Sequence, residues 1–336
     1  MKQATITLDN LTIGYLNQGN KIEVVSSISN KIYPGELICL LGANGVGKST
    51  LLRTIAGFQP SLAGEIKLFN KRLNQYSAKE IAKHISIVLT QRPDIYNMRA
   101  YELVSIGRSP YTGFWGSLSD EDKTIIDQAF EDVAISELKE RFIHTLSDGE
   151  RQKVMITKAL VQDTPIILLD EPTAFLDFAS KVEITQLLLN LARERKKSIL
   201  LTTHDMELAF QVADQIWLFN RNNQLESGTP EDLALSNTFN RFFENSGVSF
   251  NIEEALFKLN RTIDKEVQLI GNGNTNTLIE KSLLRNGIGI SSETNLTKIT
   301  VINEKPFTLK VEFANSNCPT QKVNSIKELL EYKSYF

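Results

Sequence analysis

The run GANGVGKST, from Gly42 to Thr50, places Gly42, Gly47, Lys48 and Ser49 in the order G-x-x-x-x-G-K-[ST]. It follows the apolar run ELICLLG and opens the helical pattern STLLRTIAGF, the context in which this order makes a phosphate-binding loop. Gly42, Asn44, Gly45, Gly47, Lys48, Ser49 and Thr50 are therefore candidate nucleotide contacts. The glycines let backbone N–H groups close around β- and γ-phosphates, because a side chain at those places would block the approach. Lys48 brings a point positive charge to the β/γ oxygens, and the Ser49 hydroxyl is placed to coordinate Mg²⁺.

A second run, IILLDEP, sets Asp170 and Glu171 at the C-terminal end of a continuous apolar strand. Open α/β sheets bind their ligands at such strand ends. Asp170 is the candidate Mg²⁺ holder, and Glu171, on the other side of the strand end, can polarise the attacking water as a general base. His204 ends a further apolar strand, SILLTTH, at the same rim. It is read as a hydrogen-bond donor that organises the γ-phosphate. His84 and His144 are read as structural.

LSDGERQKV, Leu146 to Val154, is a second phosphate-facing signal. Ser147 stands three residues before Glu150, the spacing of a capping box at a helix start. Such a start favours an anion, yet the phosphates of this chain's own loop are already wrapped. Ser147 and Gly149 can instead serve the nucleotide of a second copy. Two chains facing head-to-tail would sandwich each ATP between one phosphate loop and the partner's helix start. Asp148 is expected to turn away from the anion.

These residues need a sheet to hold them. Apolar strand-like runs alternate with amphipathic helical ones such as ASKVEITQLLLNLARER, the pattern of an α/β sheet, preceded by an alternating antiparallel patch, ATITLDNLTIGYL. Residues from about 92 to 161 read as mostly helical, broken by GRSPYTGFWG, and QIWLFNRNNQLESG reads as a hairpin. Near residues 245–250 the character changes to a small α+β module, with strands in KEVQLIG, ITVIN and FTLKVEF and helices in TNTLIEKSLLRNG and VNSIKELLEYKS. The 336 residues suit about two domains, and 41% hydrophobic with 23% charged residues suits a globular chain with a sizeable core. A net charge of −3 leaves no electrostatic footprint for nucleic acid. No apolar run reaches the length of a membrane span, and MKQATITLDN lacks a secretion-signal pattern. Cys39 and Cys318 stand outside any metal-ligand spacing, which suggests a reducing compartment.

In combination and order, the motifs resemble those of the ATP-binding-cassette (ABC) ATPases over about residues 3–245. GANGVGKST resembles the family's phosphate loop, with Ala43 where proline is frequent, and LSDGE resembles the signature, usually LSGGQ or LSGGE, with Asp148 the departure. The resemblance implies that Gln91, in VLTQRP, is the mobile glutamine that senses Mg²⁺ and γ-phosphate. Asp177, in FLDFAS, corresponds to the aspartate that speaks across the dimer, His204 to the switch histidine, and Tyr15 to the aromatic that stacks on adenine. The implied fold is a P-loop NTPase cassette with an antiparallel β subdomain and a helical subdomain (about 92–161), spanning 1–245. An accessory α+β domain follows over 246–336.

Within the family, VSIGRSPYTGFWG (Val104–Gly116) resembles the importers of iron–siderophore, haem and vitamin B12 complexes. In these, a similar G-R-x-P loop lies on the surface that receives a coupling helix from the permease. The expected protein is thus an ATPase using ATP and Mg²⁺ that drives an importer from the cytoplasmic face of the inner membrane. Its partners are a second copy of itself, integral membrane permease subunits and a separate substrate-binding protein, with no nucleic acid. A soluble non-transport ABC ATPase and the ATPase of an exporter are the alternatives. Ribosomal members resemble two fused cassettes where one is present here, and DNA-repair members carry a long coiled coil whose heptads are missing. Many exporters carry permease and cassette in one chain, which this one does not.

Overall fold

The computed structural model describes residues 3–17, 20–90, 97–113, 116–220, 224–314 and 318–336. It divides into two compact units, Met1–Phe242 and Phe243–Phe336.

The first unit opens with β1 (Ile6–Asn17), β2 (Asn20–Ile32) and β3 (Leu37–Leu41), then α1 (Lys48–Ile55), β4 (Ala63–Leu68), β5 (Lys71–Arg72), α2 (Ala78–Ile81) and β6 (Ile85–Val88). Next come α3 (Ala100–Ser105), α4 (Asp120–Asp132), α5 (Asp148–Val161), β7 (Ile166–Leu169), α6 (Phe178–Arg193) and β8 (Ser198–Thr202). The unit ends with α7 (Met206–Val212), β9 (Gln215–Phe219), β10 (Leu225–Gly228), α8 (Pro230–Leu235) and α9 (Thr238–Phe242).

Six strands make the main sheet in the order β10-β9-β3-β8-β7-β6. All neighbours in it run parallel except β10, which turns back antiparallel on β9. Every residue of β3 (LICLL), β7 (IILL) and β8 (SILLT) is buried. These unbroken apolar runs are what a parallel sheet covered on both faces demands. Because β3, β8 and β7 are successive neighbours, the residues following their C-terminal ends meet at one rim. Cys39 lies inside β3, and its burial raises the thiol pKa well above the ordinary range, so it behaves as a small hydrophobe.

A second, antiparallel sheet has the order β2-β1-β4-β5. The first forty residues read as strands, and β2 is among them, although its own sequence shows no simple alternation. Its inward residues Val25, Ile28 and Ile32 are three and four apart, because β1 and β2 shift register between Leu8 and Leu11 and again on either side of Ile13. Bulges of this kind break the two-residue period by which a strand is recognised. One core joins both sheets of this unit, from Ile6 and Leu11 to Trp217 and Phe219.

The stretch expected to be mostly helical contains α3, α4 and α5, and the G-R-S-P loop is fastened among them. Arg108 Nε donates to Asp122 Oδ1 on α4 at 2.7 Å, and Arg108 NH1 donates to the Val161 carbonyl at the end of α5 at 2.9 Å. The guanidinium also lies over the Tyr111 ring, 4.1 Å from its centroid. Both partners of the ion pair are buried, with side chains 7% and 9% exposed. Ser119 donates to Asp122 through its hydroxyl and backbone N–H, and these bonds, then Arg108, hold the Asp122 carboxyl below the usual range.

Removing one member of a buried pair strands the other, so Arg108→Ala is expected to cost about 3–5 kcal/mol of unfolding free energy in denaturant titration. A carboxyl depressed in the folded state contributes stability above its unfolded pKa and loses it as pH falls through the folded value. The deficit of the variant should therefore narrow below about pH 4, where the stranded carboxylate takes up a proton.

The second unit has its own core around Val267, Ile279, Leu283, Ile299, Leu309 and Val311. It contains the hairpin β11 (Val248–Asn251) and β12 (Leu256–Leu259), then β13 (Lys265–Ile270), α10 (Asn274–Arg285), β14 (Ile288–Ile290), β15 (Thr297–Glu304), β16 (Phe307–Glu312), β17 (Gln321–Val323) and α11 (Ile326–Glu331). Its five-stranded sheet has the order β14-β13-β15-β16-β17, with β13 parallel to both neighbours and β16 antiparallel to both of its own.

Candidate functional site

The loop from Gly42 to Gly47 bridges the end of β3 and the start of α1, and its glycines answer to different demands. Gly47 has φ +112, and a Cβ there would lie 2.5 Å from Val24 Cγ1. Gly42, at φ +155, would bring a Cβ to 3.0 Å from both Phe219 Cβ and Val46 Cγ1. Both are therefore glycine because the chain packs against itself. Gly45, at φ +78, is different: a Cβ there meets no protein atom within 4 Å. Of the three, it is the one whose bare backbone fits a phosphate approaching from outside. Gly42 and Gly47 thus answer to the fold's own packing whatever part their backbone takes in holding phosphate.

Lys48 begins α1 and turns back over this loop. Its Nζ donates to the carbonyls of Gly42 and Ala43 at 2.9 and 3.1 Å. Burial lowers the Lys48 pKa, and the charges of Glu171 and then Asp170 oppose that shift. Ser49 Oγ donates to Asp170 Oδ1 at 3.1 Å. A hydroxyl and a carboxylate oxygen thus converge beside the lysine, a pair of hard oxygens suited to Mg²⁺.

Asp170 and Glu171 follow β7. Thr202, at the end of β8 and fully buried, donates its hydroxyl to Asp170 Oδ1 at 2.9 Å and accepts the Glu171 backbone N–H at 2.8 Å. Thr90 Oγ1 donates to the Asp170 carbonyl at 2.7 Å. Thr202 is a site residue that sequence reasoning passed over; its signal was the hydroxyl pair in TTH, two positions before His204. The fixing of Glu171 has a backbone cost, since it sits at φ +50, a left-handed conformation uncommon for a residue with a side chain.

Glu171 Oε1 lies 2.6 Å from His204 Nε2, and Lys48 Nζ lies 3.4 Å from the same nitrogen. One ring nitrogen cannot both donate to the carboxylate and accept from an ammonium. The shorter distance assigns the Nε2–H to Glu171, which leaves the lysine approach as a polar contact. Lys48, Ser49, Asp170, Glu171 and His204 thus form one cluster at the rim set by β3, β7 and β8. Tyr15 borders it: its hydroxyl is 2.6 Å from Thr50 Oγ1, and the side chain is half exposed.

Ser147, Gly149 and Asp177 form a second group. Ser147 caps α5 through the expected box: its Oγ accepts from the Glu150 N–H at 3.3 Å, and its own N–H donates to Glu150 Oε2 at 2.8 Å. The Ser147 N–H is the main reason the Glu150 carboxyl titrates below its ordinary value. Asp177 caps α6, accepting from the Ser180 N–H at 2.8 Å. The two helix starts touch, because a Cβ on Gly149 would come within 2.9 Å of Ser180 Oγ. Lys153 and Glu183 tie the same helices one turn further along, 2.7 Å apart. Asp148, the departure in the motif, is the first residue of α5, where a carboxylate suits the helix dipole. Gln91 lies outside the described residues. His84 packs between the rings of Phe69 and Tyr76, in keeping with a structural role.

A parallel sheet with a glycine-lined phosphate loop, a Ser–Asp oxygen pair and a carboxylate–histidine pair at one rim defines a P-loop nucleotide hydrolase. The ABC transporter family model matches residues 25–174. An ABC transporter ATP-binding protein of Methanocaldococcus jannaschii is 37% identical over 280 residues, covering 83% of this chain and 95% of that one. The iron(3+)-hydroxamate import ATP-binding protein FhuC of Bacillus subtilis is 36% identical over 241 residues, covering 71% and 88%. Among solved structures, a dimeric bacterial ABC transporter cassette aligns with a TM-score of 0.59 at 27% identity, over 67% of this chain and 98% of that one. The same cassette solved after hydrolysis, with ADP and Pi bound, aligns equally well. This chain belongs to the ABC transporter ATP-binding proteins, and it is an ATPase.

Proposed function

We propose that the chain is the energy-coupling subunit of a membrane importer for ferric siderophores or chemically related metal chelates. It works as an ATP-sandwich dimer on the cytoplasmic face of a separate permease, which is served by a substrate-binding protein. The observation that carries the reading is the partition of the site into two groups. One bears the phosphate loop, the acids and His204; the other bears Ser147, Gly149 and Asp177, gathered at the starts of α5 and α6. The import ATPase from Bacillus subtilis and the G-R-S-P loop support the cargo class. No helix among the described residues is long and apolar enough to cross a membrane.

In this mechanism Gly45 and Lys48 hold the triphosphate, and Tyr15 sits where the base would stack. Ser49 Oγ and Asp170 Oδ1 would hold Mg²⁺, which when bound neutralises charge on the β- and γ-oxygens. Thr202 pins both acids. The Glu171 carboxylate takes the proton from the water that attacks the γ-phosphorus, and the bond to the β–γ bridging oxygen breaks to leave ADP and phosphate. His204, through Nε2–H, keeps that carboxylate aimed. Ser147 and Gly149 of a second copy close over the γ-phosphate, with the partner's Asp177 beside them. Gln91 is assigned the sensing role on family resemblance.

The test is uptake in the native host. A strain lacking this chain should lose accumulation of a radioiron-loaded hydroxamate siderophore and regain it with the wild-type chain. Undiminished uptake of ferric siderophores, haem and cobalamin in the deleted strain would remove the importer reading.

A further inference from the structure

The end of β1 is fastened to the phosphate-loop helix α1 twice, through adjacent residues. The Gln59 side-chain amide donates to the Gly14 carbonyl at 3.4 Å and to Thr54 Oγ1 at 3.1 Å, and Thr54 Oγ1 donates in turn to the Thr50 carbonyl at 2.7 Å. One residue on, the Tyr15 hydroxyl lies 2.6 Å from Thr50 Oγ1. The pairing of β1 with β2 shifts register between Ile13 and Gly14, and a Cβ at Gly14 would strike the Ile22 carbonyl, so the bulge that precedes Tyr15 needs glycine. Thr50 is buried in the first turn of α1, next to Ser49. Tyr15 is 48% exposed, and among the described residues Thr50 is the one hydrogen-bond partner of its hydroxyl. Stacking on a base uses the face of a ring and needs no hydroxyl, so phenylalanine would serve that purpose as well. The hydroxyl answers to something else. A half-exposed ring held at one point has less freedom to lose when a base settles on it, and preorganisation of that kind raises affinity.

We propose that the Tyr15 hydroxyl, by bonding Thr50, fixes the ring at a set distance from the phosphate loop before a nucleotide arrives, so that base and phosphates meet one preorganised unit. The inference rests on the nucleotide site assigned above and adds what couples its two ends. Through its hydroxyl Tyr15 is a positioning residue and takes no part in hydrolysis. With the Tyr15 O–H as donor, Thr50 accepts through Oγ1 and keeps its own hydroxyl hydrogen for a phosphate oxygen. One threonine thus serves the base end and the phosphate end together, and a ligand that lacks a base draws no benefit from the Tyr15 bond.

The experiment measures binding to the full chain by titration calorimetry, with two probes: the β,γ-imido analogue of ATP, and inorganic tripolyphosphate, which has no base. Tyr15→Phe keeps the ring and should weaken the analogue about three- to tenfold, the size of one lost hydrogen bond, while tripolyphosphate binds as to the wild type. Thr50→Val should weaken the analogue at least as much, and adding Tyr15→Phe to it should cost nothing more, because the partner is already gone. Thr50→Ser retains a hydroxyl and should bind the analogue like the wild type. Tyr15→Leu, which removes the ring as well, should weaken the analogue further than Tyr15→Phe does. Wild-type affinity in Tyr15→Phe beside a loss in Tyr15→Leu overturns the proposal and leaves the base seat where it is. Wild-type affinity in both removes Tyr15 from the base seat, and the proposal falls with that assignment. An equal loss of tripolyphosphate in Tyr15→Phe, or additive losses in the double variant, also overturns it, since the hydroxyl would then act on the phosphate loop alone or apart from Thr50.

Discussion

Glu171→Gln should bind ATP and almost cease to hydrolyse it, with turnover falling by about 10²–10⁴, the range set by a lost general base. The substitution is nearly isosteric, and the amide oxygen can still accept from His204 Nε2, so the 2.6 Å contact survives in kind. The backbone is also held independently, through the Thr202 hydroxyl. What changes is the capacity to take a proton. With cleavage stopped, the closed dimer has no route to reopen, so size-exclusion chromatography with light scattering should show ATP-stabilised dimers that the wild type does not accumulate. Phosphate release within tenfold of the wild type would assign the base elsewhere.

A second experiment addresses the sharing of each nucleotide between chains. Ser147→Asp should fold normally, because aspartate caps helices as well as serine does. It would nevertheless set a carboxylate where a partner's γ-phosphate is to be received, and hydrolysis should drop to background. Lys48→Ala should be equally inactive, since the loop loses its charge. An equal mixture behaves differently: in a mixed dimer the phosphate loop of the Ser147→Asp chain faces the unaltered Ser147 of the Lys48→Ala chain, which leaves one complete site. Half of random dimers are mixed and each has one of two sites, so single-turnover phosphate release should recover to about a quarter of the wild-type amplitude. Full activity in Ser147→Asp by itself would sink the shared-site idea.

Much of this machinery was legible in the chain because phosphate chemistry leaves dense local marks. The phosphate loop, the acid pair after IILL and the capping box each occupy fewer than ten residues, and buried parallel strands announce themselves as unbroken apolar runs. What was hidden depends on distant partners. That Val24 forces Gly47, or that Phe219 joins Val46 in crowding Gly42, cannot be read from GANGVGKST, because Val24 and Phe219 come from β2 and β9. Thr202 gains its role only when β8 is laid beside β7. The register shifts between β1 and β2, by contrast with the strands themselves, leave no local mark. In the second unit the three- and four-residue strands β11, β12, β14 and β17 are too short to show any period.

The two separate cores have a consequence for inheritance. No residue is common to the cluster around Trp217 and the one around Val267. Drift in the interior of the C-terminal segment is therefore screened by that segment's own foldability, not by the catalyst's. Lineages can trade or discard such an appendix while the engine it follows stays under unchanged selection.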